Sequence, residues 1–222
     1  ESGSGKTVTA LSLLGLARGA WVRGEAVFDG QDLFKLNESQ WQGVRGSDIA
    51  MIFQEPMTAL NPLFTIGEQI AEVLLLKKGM DRQQAWARAI ELLTDTGIPE
   101  PERRINSYPH QLSGGQRQRV SFGRAIITNP RLLLLDEPFG SLDVGTRQRM
   151  QELFKELSAL YGITSLFVTH DLKEAILMGD DIGLMKKGSL QVYSDKKDFL
   201  LDPETGVQSE REFWESLLKP NY

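Results

Sequence analysis

The chain contains no cysteine. Disulfides and thiolate metal sites are therefore excluded, and the composition fits a reducing compartment. Long apolar runs are missing too. None approaches the roughly 18–20 residues that span a bilayer, so any membrane role is peripheral and runs through a partner. No secretory leader is visible. Basic clusters are absent: the 25 Lys and Arg are scattered against 30 Asp and Glu, and a net charge of −5 makes nucleic acid no obvious partner. Internal repeats and low-complexity stretches are also lacking. What remains is 222 residues, 41% hydrophobic and 25% charged, as in a soluble globular protein. The length allows one substantial domain, or one domain with a small inserted lobe.

The first residues carry the strongest local signal. Glu1-Ser2-Gly3-Ser4-Gly5-Lys6-Thr7 matches the phosphate-binding loop G-x-x-x-x-G-K-[ST] without its first glycine. Small residues let backbone N–H groups close around phosphate oxygens, and the helix that follows favours negative charge at its start. Lys6 would reach the β- and γ-phosphates, and the Thr7 hydroxyl would ligate Mg²⁺. The plain alternative is an ordinary Gly/Ser loop before a helix. Such a loop normally follows a buried strand, and none precedes Glu1. The sequence therefore reads as cut at this loop, with its first strands upstream.

Hydrophobic periodicity orders the rest. Lys6 to about Ala17 reads as a helix, and Ala26–Gly30 as a short strand entering a turn. Ile49–Phe53 is a compact apolar strand ending at Gln54. Pro56–Pro62 is irregular. Ile66–Lys78 has helical spacing. Asp81 can cap a second helix with Trp86, Ala89, Ile90 and Leu93 in one stripe, ended by Gly97 and Pro99. These helices make residues 66–109 an inserted helical lobe. Gly114–Ile127 is a helix and Leu132–Leu135 a buried parallel strand. Val144–Tyr161 is a helix with a Met150, Leu153, Phe154, Leu157 stripe. Ile163–Val168 is another buried strand. Asp181–Met185 and Leu190–Tyr193 flank a turn at Lys187-Gly188. In the tail, residues 194–222, Phe213, Trp214, Leu217 and Leu218 form the apolar face of a last helix. The fold class is α/β: a mostly parallel central sheet flanked by helices, with the lobe and a small antiparallel element.

Two further motifs carry chemistry. The apolar strand at Leu132 runs into Asp136-Glu137, which puts the acids at the carboxyl edge of a parallel sheet, where ligands bind. In P-loop NTPases an acid here helps hold Mg²⁺, the role Asp136 fits, while Glu137 is placed to act on the attacking water. The bland reading is a strand terminated by charges. Leu112-Ser113-Gly114-Gly115-Gln116 opens a helix with two glycines beside a hydroxyl, a second anion site. Its bland reading is a glycine-rich helix start.

Taken together, the chain resembles the ATP-binding subunits of ABC transporters from residue 1 to about Gly188. The motifs stand in family order: the loop at Ser2–Thr7, a glutamine loop at Phe53-Gln54, the signature at Leu112–Gln116, and Asp136-Glu137. Ser141-Leu142-Asp143 then resembles the family's D-loop, and Val168-Thr169-His170-Asp171 its switch histidine segment. The resemblance implies a P-loop NTPase fold, ATP and Mg²⁺ as cofactors, and one ATP-binding domain over residues 1–222. Two such domains, identical or not, would pair head to tail. They would trap ATP between Ser2, Gly3, Ser4, Gly5, Lys6 and Thr7 of one and Ser113, Gly114, Gly115 and Gln116 of the other. Gln54 would sense Mg²⁺ and the γ-phosphate, Asp136 would hold the metal with Thr7, Glu137 would polarise water, His170 would hold the γ-phosphate, and Asp143 would communicate across the dimer. The implied partners are integral membrane permeases and a solute-binding protein. The implied location is the cytoplasmic face of the inner membrane.

Met51–Pro62 and Tyr108–Leu112 are similar to the dipeptide, oligopeptide and nickel importer branch. Glu137–Asp143 looks more like the amino-acid, quaternary-amine or polyamine branches, and the tail lacks the Arg-x-x-His-Pro-Tyr-like ending of many peptide-importer subunits. Import is therefore the expected direction, with the solute open. Two alternatives stand beside it. One is a soluble ABC ATPase of DNA repair or translation. No sustained heptads separate Gln54 from Leu112, and there is one cassette, not two. The other is a non-catalytic truncated fragment. The truncation leads to a further expectation: a missing strand beside those at Ile49, Leu132 and Ile163, a vacant slot next to the Leu132 strand, and Glu1 and Ser2 loosely held.

Overall fold

The computed structural model describes residues 5–17, 19–53 and 59–218, with side chains to Glu212. Along the chain run α1 (Lys6–Ser12), β1 (Val27–Phe28), β2 (Gln31–Asp32), α2 (Glu38–Val44), β3 (Ile49–Ile52), α3 (Ile66–Lys78), α4 (Arg82–Asp95) and α5 (Pro101–Arg104). Then come α6 (Gly114–Ile126), β4 (Leu132–Asp136), α7 (Val144–Tyr161), β5 (Thr164–Val168), α8 (Leu172–Met178), β6 (Ile182–Lys186), β7 (Ser189–Tyr193), α9 (Lys196–Leu201) and α10 (Val207–Leu218). Two compact units emerge: Thr7–Val168, and the described residues from Thr169 onward together with Gly5 and Lys6.

In the first unit a parallel sheet runs in the order β3-β4-β5. Ile49 faces Leu132, and Asp136 faces Val168. The strands are apolar because helices cover them: Leu133, Leu134 and Leu135 are fully buried. Leu134 joins Leu14, Leu33, Trp41 and Ile49 in one core cluster. The helical lobe closes on itself, since the Ile66 and Gly67 N–H groups donate to Ser107 and Ile105 carbonyls at 2.9 and 2.7 Å. Its helices start on reciprocal caps at Thr65/Glu68 and Asp81/Gln84.

Four readings need correction. First, α1 stops at Ser12, well short of Ala17, and the chain turns at Gly15, whose φ of +62° is left-handed. Second, the buried stripe of α4 is Ala85, Ala89, Leu92 and Leu93, which shares Ala89 and Leu93 with the expected one but is rotated by about a fifth of a turn. It faces α3 and α6, while Trp86 lies against Gly67 of α3. Third, β5 is not buried: Leu166 is 42% exposed, because no described strand pairs with its outer edge. Fourth, no slot lies next to the Leu132 strand. β4 is paired on both sides, so among the described residues the sheet's edges are those of β3 and β5. The positions of Glu1 and Ser2 lie outside the described residues.

In the second unit β6 and β7 form the expected antiparallel hairpin, turning at Lys187 (φ +48°) and Gly188 (φ +80°). Ile182, Tyr193 and Phe199 form its small core. The tail is helical: α9, a single 3-10 turn at Pro203–Thr205, and α10. The side chains of Phe213, Trp214, Leu217 and Leu218 lie outside the described residues.

Candidate functional site

A hydroxyl and a carboxylate 129 residues apart in the sequence meet at the sheet edge. The Thr7 hydroxyl, in the first turn of α1, donates to Asp136 Oδ1 at 3.1 Å. Asp136 ends β4 and is 2% exposed. A parallel strand delivers its last residue to the carboxyl edge, and that is how Asp136 comes to face α1. Both groups are hard oxygen donors, the set that Mg²⁺ takes together with water and phosphate oxygens. Gly5, just before α1, has a φ of +87°, which a side-chain-bearing residue adopts only at a cost of about 1–2 kcal/mol. Lys6 opens the helix. Ser2, Gly3 and Ser4 lie outside the described residues, as does Gln54.

Glu137 follows at once and breaks the strand. Its φ is +46°, a left-handed conformation rare for a non-glycine residue and concentrated at functional positions. Three contacts hold it there. Its N–H donates to the Val168 carbonyl at 2.9 Å, its carbonyl accepts from the Gly140 N–H at 3.2 Å, and Phe139, fully buried against Phe167, pins the next turn. The half-buried Glu137 thus leaves the sheet immediately after the acid that meets Thr7.

Ser113 caps α6 with a reciprocal pair. Its N–H donates to Gln116 Oε1 at 3.0 Å, and its hydroxyl accepts from the Gln116 N–H at 3.3 Å. Gly114 and Gly115 form the first turn between them. A methyl at Gly115 would lie 3.7 Å from the Thr146 side chain, so α6 starts beside the start of α7. Asp143 caps α7, accepting from the Thr146 N–H at 3.0 Å. Hydrogen bonds from the Thr146 side chain and backbone hold its carboxyl below the ordinary range.

His170 is exposed and belongs to the second unit. The turn around it is fixed by groups that sequence reasoning missed. The Thr169 hydroxyl donates to the buried Glu174 at 2.6 Å, and the Asp171 N–H donates to Thr169 Oγ1 at 3.0 Å. Asp171 in turn caps α8. The Asp171-x-x-Glu174 spacing was the available signal, because it resembles a capping box. Among the described residues no cluster of three or more His, Cys, Asp or Glu could hold a metal alone. A cation here would rest on Thr7, Asp136 and its ligand's own oxygens.

The family model described as ABC transporter matches residues 1–140. The oligopeptide transport ATP-binding protein OppD of Bacillus subtilis is 42% identical over 206 residues, covering 91% of this chain and 58% of that protein. The peptidoglycan transport ATP-binding protein YejF of Agrobacterium fabrum is 44% identical, over 92% of this chain and 38% of its own length. The chain thus spans about two fifths to three fifths of these relatives. A dimeric, post-hydrolysis structure of the ATP-binding cassette MJ0796, bound to ADP and Pi, superposes with a TM-score of 0.73 at 32% identity. That match covers 87% of this chain and 82% of that one.

Proposed function

The chain belongs to the ABC transporter family of ATP-binding proteins, and on that premise we propose that it hydrolyses ATP to power import of a peptide or another small solute through a membrane permease. The Thr7–Asp136 pair carries the reading, because it joins the phosphate-loop helix to the acid of the sheet edge at 3.1 Å. Gly5, Lys6 and the preceding small residues would cradle the phosphates. Thr7 and Asp136 would hold Mg²⁺, which when bound supplies positive charge against the phosphate oxygens. Glu137 would take the proton of the attacking water. Its left-handed backbone marks the point where the chain leaves the strand. His170 would hold the γ-phosphate, Gln54 would sense it, and Asp143 would signal to a second ATP-binding subunit, whose Ser113–Gln116 helix start completes the site.

Relatives named for oligopeptide, dipeptide and peptidoglycan transport favour a peptide-like solute. No described helix is long and apolar enough to cross a membrane, in keeping with a peripheral subunit held by a permease on the cytoplasmic face. A solute-binding protein would deliver the solute. The test is Glu137→Gln in the full-length protein. Loss of a general base typically lowers rate about 10²–10⁴-fold, so steady-state turnover should fall by that order while ATP binding by titration persists. Turnover within a few-fold of wild type would sink the assignment.

A further inference from the structure

The phosphate-loop helix is short, and past its far end an arginine side chain holds the backbone of a turn whose Leu14 packs in the core beside Trp41. α1 has 7 residues, too few to persist without tertiary support. At its start Thr7 bonds Asp136. Past its end, the Arg45 guanidinium donates through Nε to the Leu14 carbonyl at 2.8 Å and through Nη2 to the Gly15 carbonyl at 3.4 Å. Those carbonyls lie two and three residues past Ser12, in the turn that follows the helix, near the helix end where positive charge is favourable. Leu14 itself is only 3% exposed.

Arg45 is held in turn. Its Cζ lies 4.8 Å from the centroid of Trp41, and Nη1 bonds Glu38 at 2.8 Å. The Trp41 ring and Arg45 Nη2 would lie 2.9–3.1 Å from a Cβ at Gly15, so the turn fits against them only as glycine. The backbone of Arg45 ends α2, through its N–H to the Trp41 carbonyl at 2.8 Å, and it bridges to Ile49 at the start of β3. β3 pairs with β4, the strand that ends in Asp136. α1 is therefore fastened at both ends to one sheet, by Asp136 at its start and by Arg45 at its end.

We infer that Arg45 is a positioning residue for nucleotide triphosphate binding, acting through α1 rather than touching the ligand. The inference rests on the reading of Lys6 and Thr7 as phosphate and metal ligands. Losing the two carbonyl contacts lets α1 shift along the sheet and reduces the fraction of loop in the binding geometry. Lysine keeps the charge but not the fork or the flat face against Trp41, so it restores the contact only in part.

Titration of the full-length protein with ATP and Mg²⁺ tests this, at a temperature where circular dichroism shows every variant folded. Arg45→Gln should weaken ATP affinity about tenfold, the order expected for stranding a buried hydrogen-bond partner. The KM for ATP should rise in parallel, with kcat within threefold. Arg45→Lys should recover part of the affinity, and Glu38→Gln, which leaves the carbonyl contacts alone, should bind within twofold of wild type. A lower melting temperature for Arg45→Gln with unchanged ATP affinity would make Arg45 merely structural and overturn the inference. Thr7→Ala separates the two readings. If it loses ATP binding while Arg45→Gln does not, only the role of Arg45 falls. If wild type binds no ATP, the reading of the site falls first.

Discussion

At Gly67 a single hydrogen decides whether the lobe can close. A Cβ there would lie 2.5 Å from Ile105 Cγ1 and 2.6 Å from the Trp86 ring, closer than real Cβ contacts come. The N–H of Gly67 also donates to the Ile105 carbonyl at 2.7 Å, so the backbone cannot easily retreat. Gly67→Ala should therefore destabilise the protein by about 1–3 kcal/mol, the usual cost of overpacking. Urea unfolding would show it, and a midpoint equal to wild type would mean that Trp86 swings aside freely. None of this was legible in the sequence, because Ile105 lies 38 positions away and no local pattern links the two. Arg45 was hidden for the same reason: its acceptors are about 30 residues earlier. By contrast, Asp81, Ser113 and Asp143 act within three residues of themselves. Their caps could be read directly from spacing.

Elements were legible where their pattern is local and misread where burial depends on neighbours. α7 runs from Val144 to Tyr161 with Met150, Leu153, Phe154 and Leu157 buried, as the helical stripe requires. β5 ends in the apolar run Leu166-Phe167-Val168 but opens on Thr164 and Ser165, and it lacks a described neighbour on one side, which local pattern does not reveal. The loop before α3 is likewise set by distant groups. The buried Gln69 accepts from the Asn61 N–H at 2.8 Å and donates to the Asn61 and Phe64 carbonyls, while Arg124 of α6 donates to the Ala59 carbonyl at 3.1 Å. This fixed loop shows Leu63 (78% exposed) and Phe64 to solvent, and we propose that it meets the permease. Cysteines at Ala59 and Leu63 should crosslink to a reconstituted permease; crosslinking only through the tail would count against it. The β6–β7 hairpin predicts a pH response of its own. Burial, and the Asp202 carboxylate that accepts the Tyr193 hydroxyl at 2.7 Å, push Tyr193 from 10.0 up to about 12. Below pH 10 both folded and unfolded chains keep this proton and the contribution is whole. Between 10 and 12 only the folded chain keeps it, so stability falls as pH rises. The stability advantage of wild type over Tyr193→Phe should shrink from pH 9 to pH 11 in urea titrations. A constant difference would mean that Tyr193 ionises normally.

For the molecule as a whole, the deciding question is whether one chain makes a complete site. The Thr7–Asp136 pair and the Ser113 helix start are both built within one chain, and the structurally similar MJ0796 is a dimer bound to ADP and Pi. We propose that the Ser113 helix start of one chain closes on the phosphates held by the other. Ser113 suits this because it is exposed and already rigid: Gln116 holds it from both sides, so little ordering is needed on contact. Arginine at that position puts a long side chain where the partner's phosphates must approach. Its cost to the fold is the loss of one helix cap, about 0.5–2 kcal/mol, small beside the roughly 5–15 kcal/mol that holds a domain together. Ser113→Arg should therefore fold, bind ATP to the Lys6 and Thr7 loop, and fail to hydrolyse it. To separate closure from chemistry, the substitution is best placed on Glu137→Gln, which should retain bound ATP. Sedimentation with ATP and Mg²⁺ should then show dimers of Glu137→Gln and only monomers of the double variant. If the double variant still dimerises with ATP, the two-chain site is wrong, and the Ser113–Gln116 segment is a capped helix start with no nucleotide to meet.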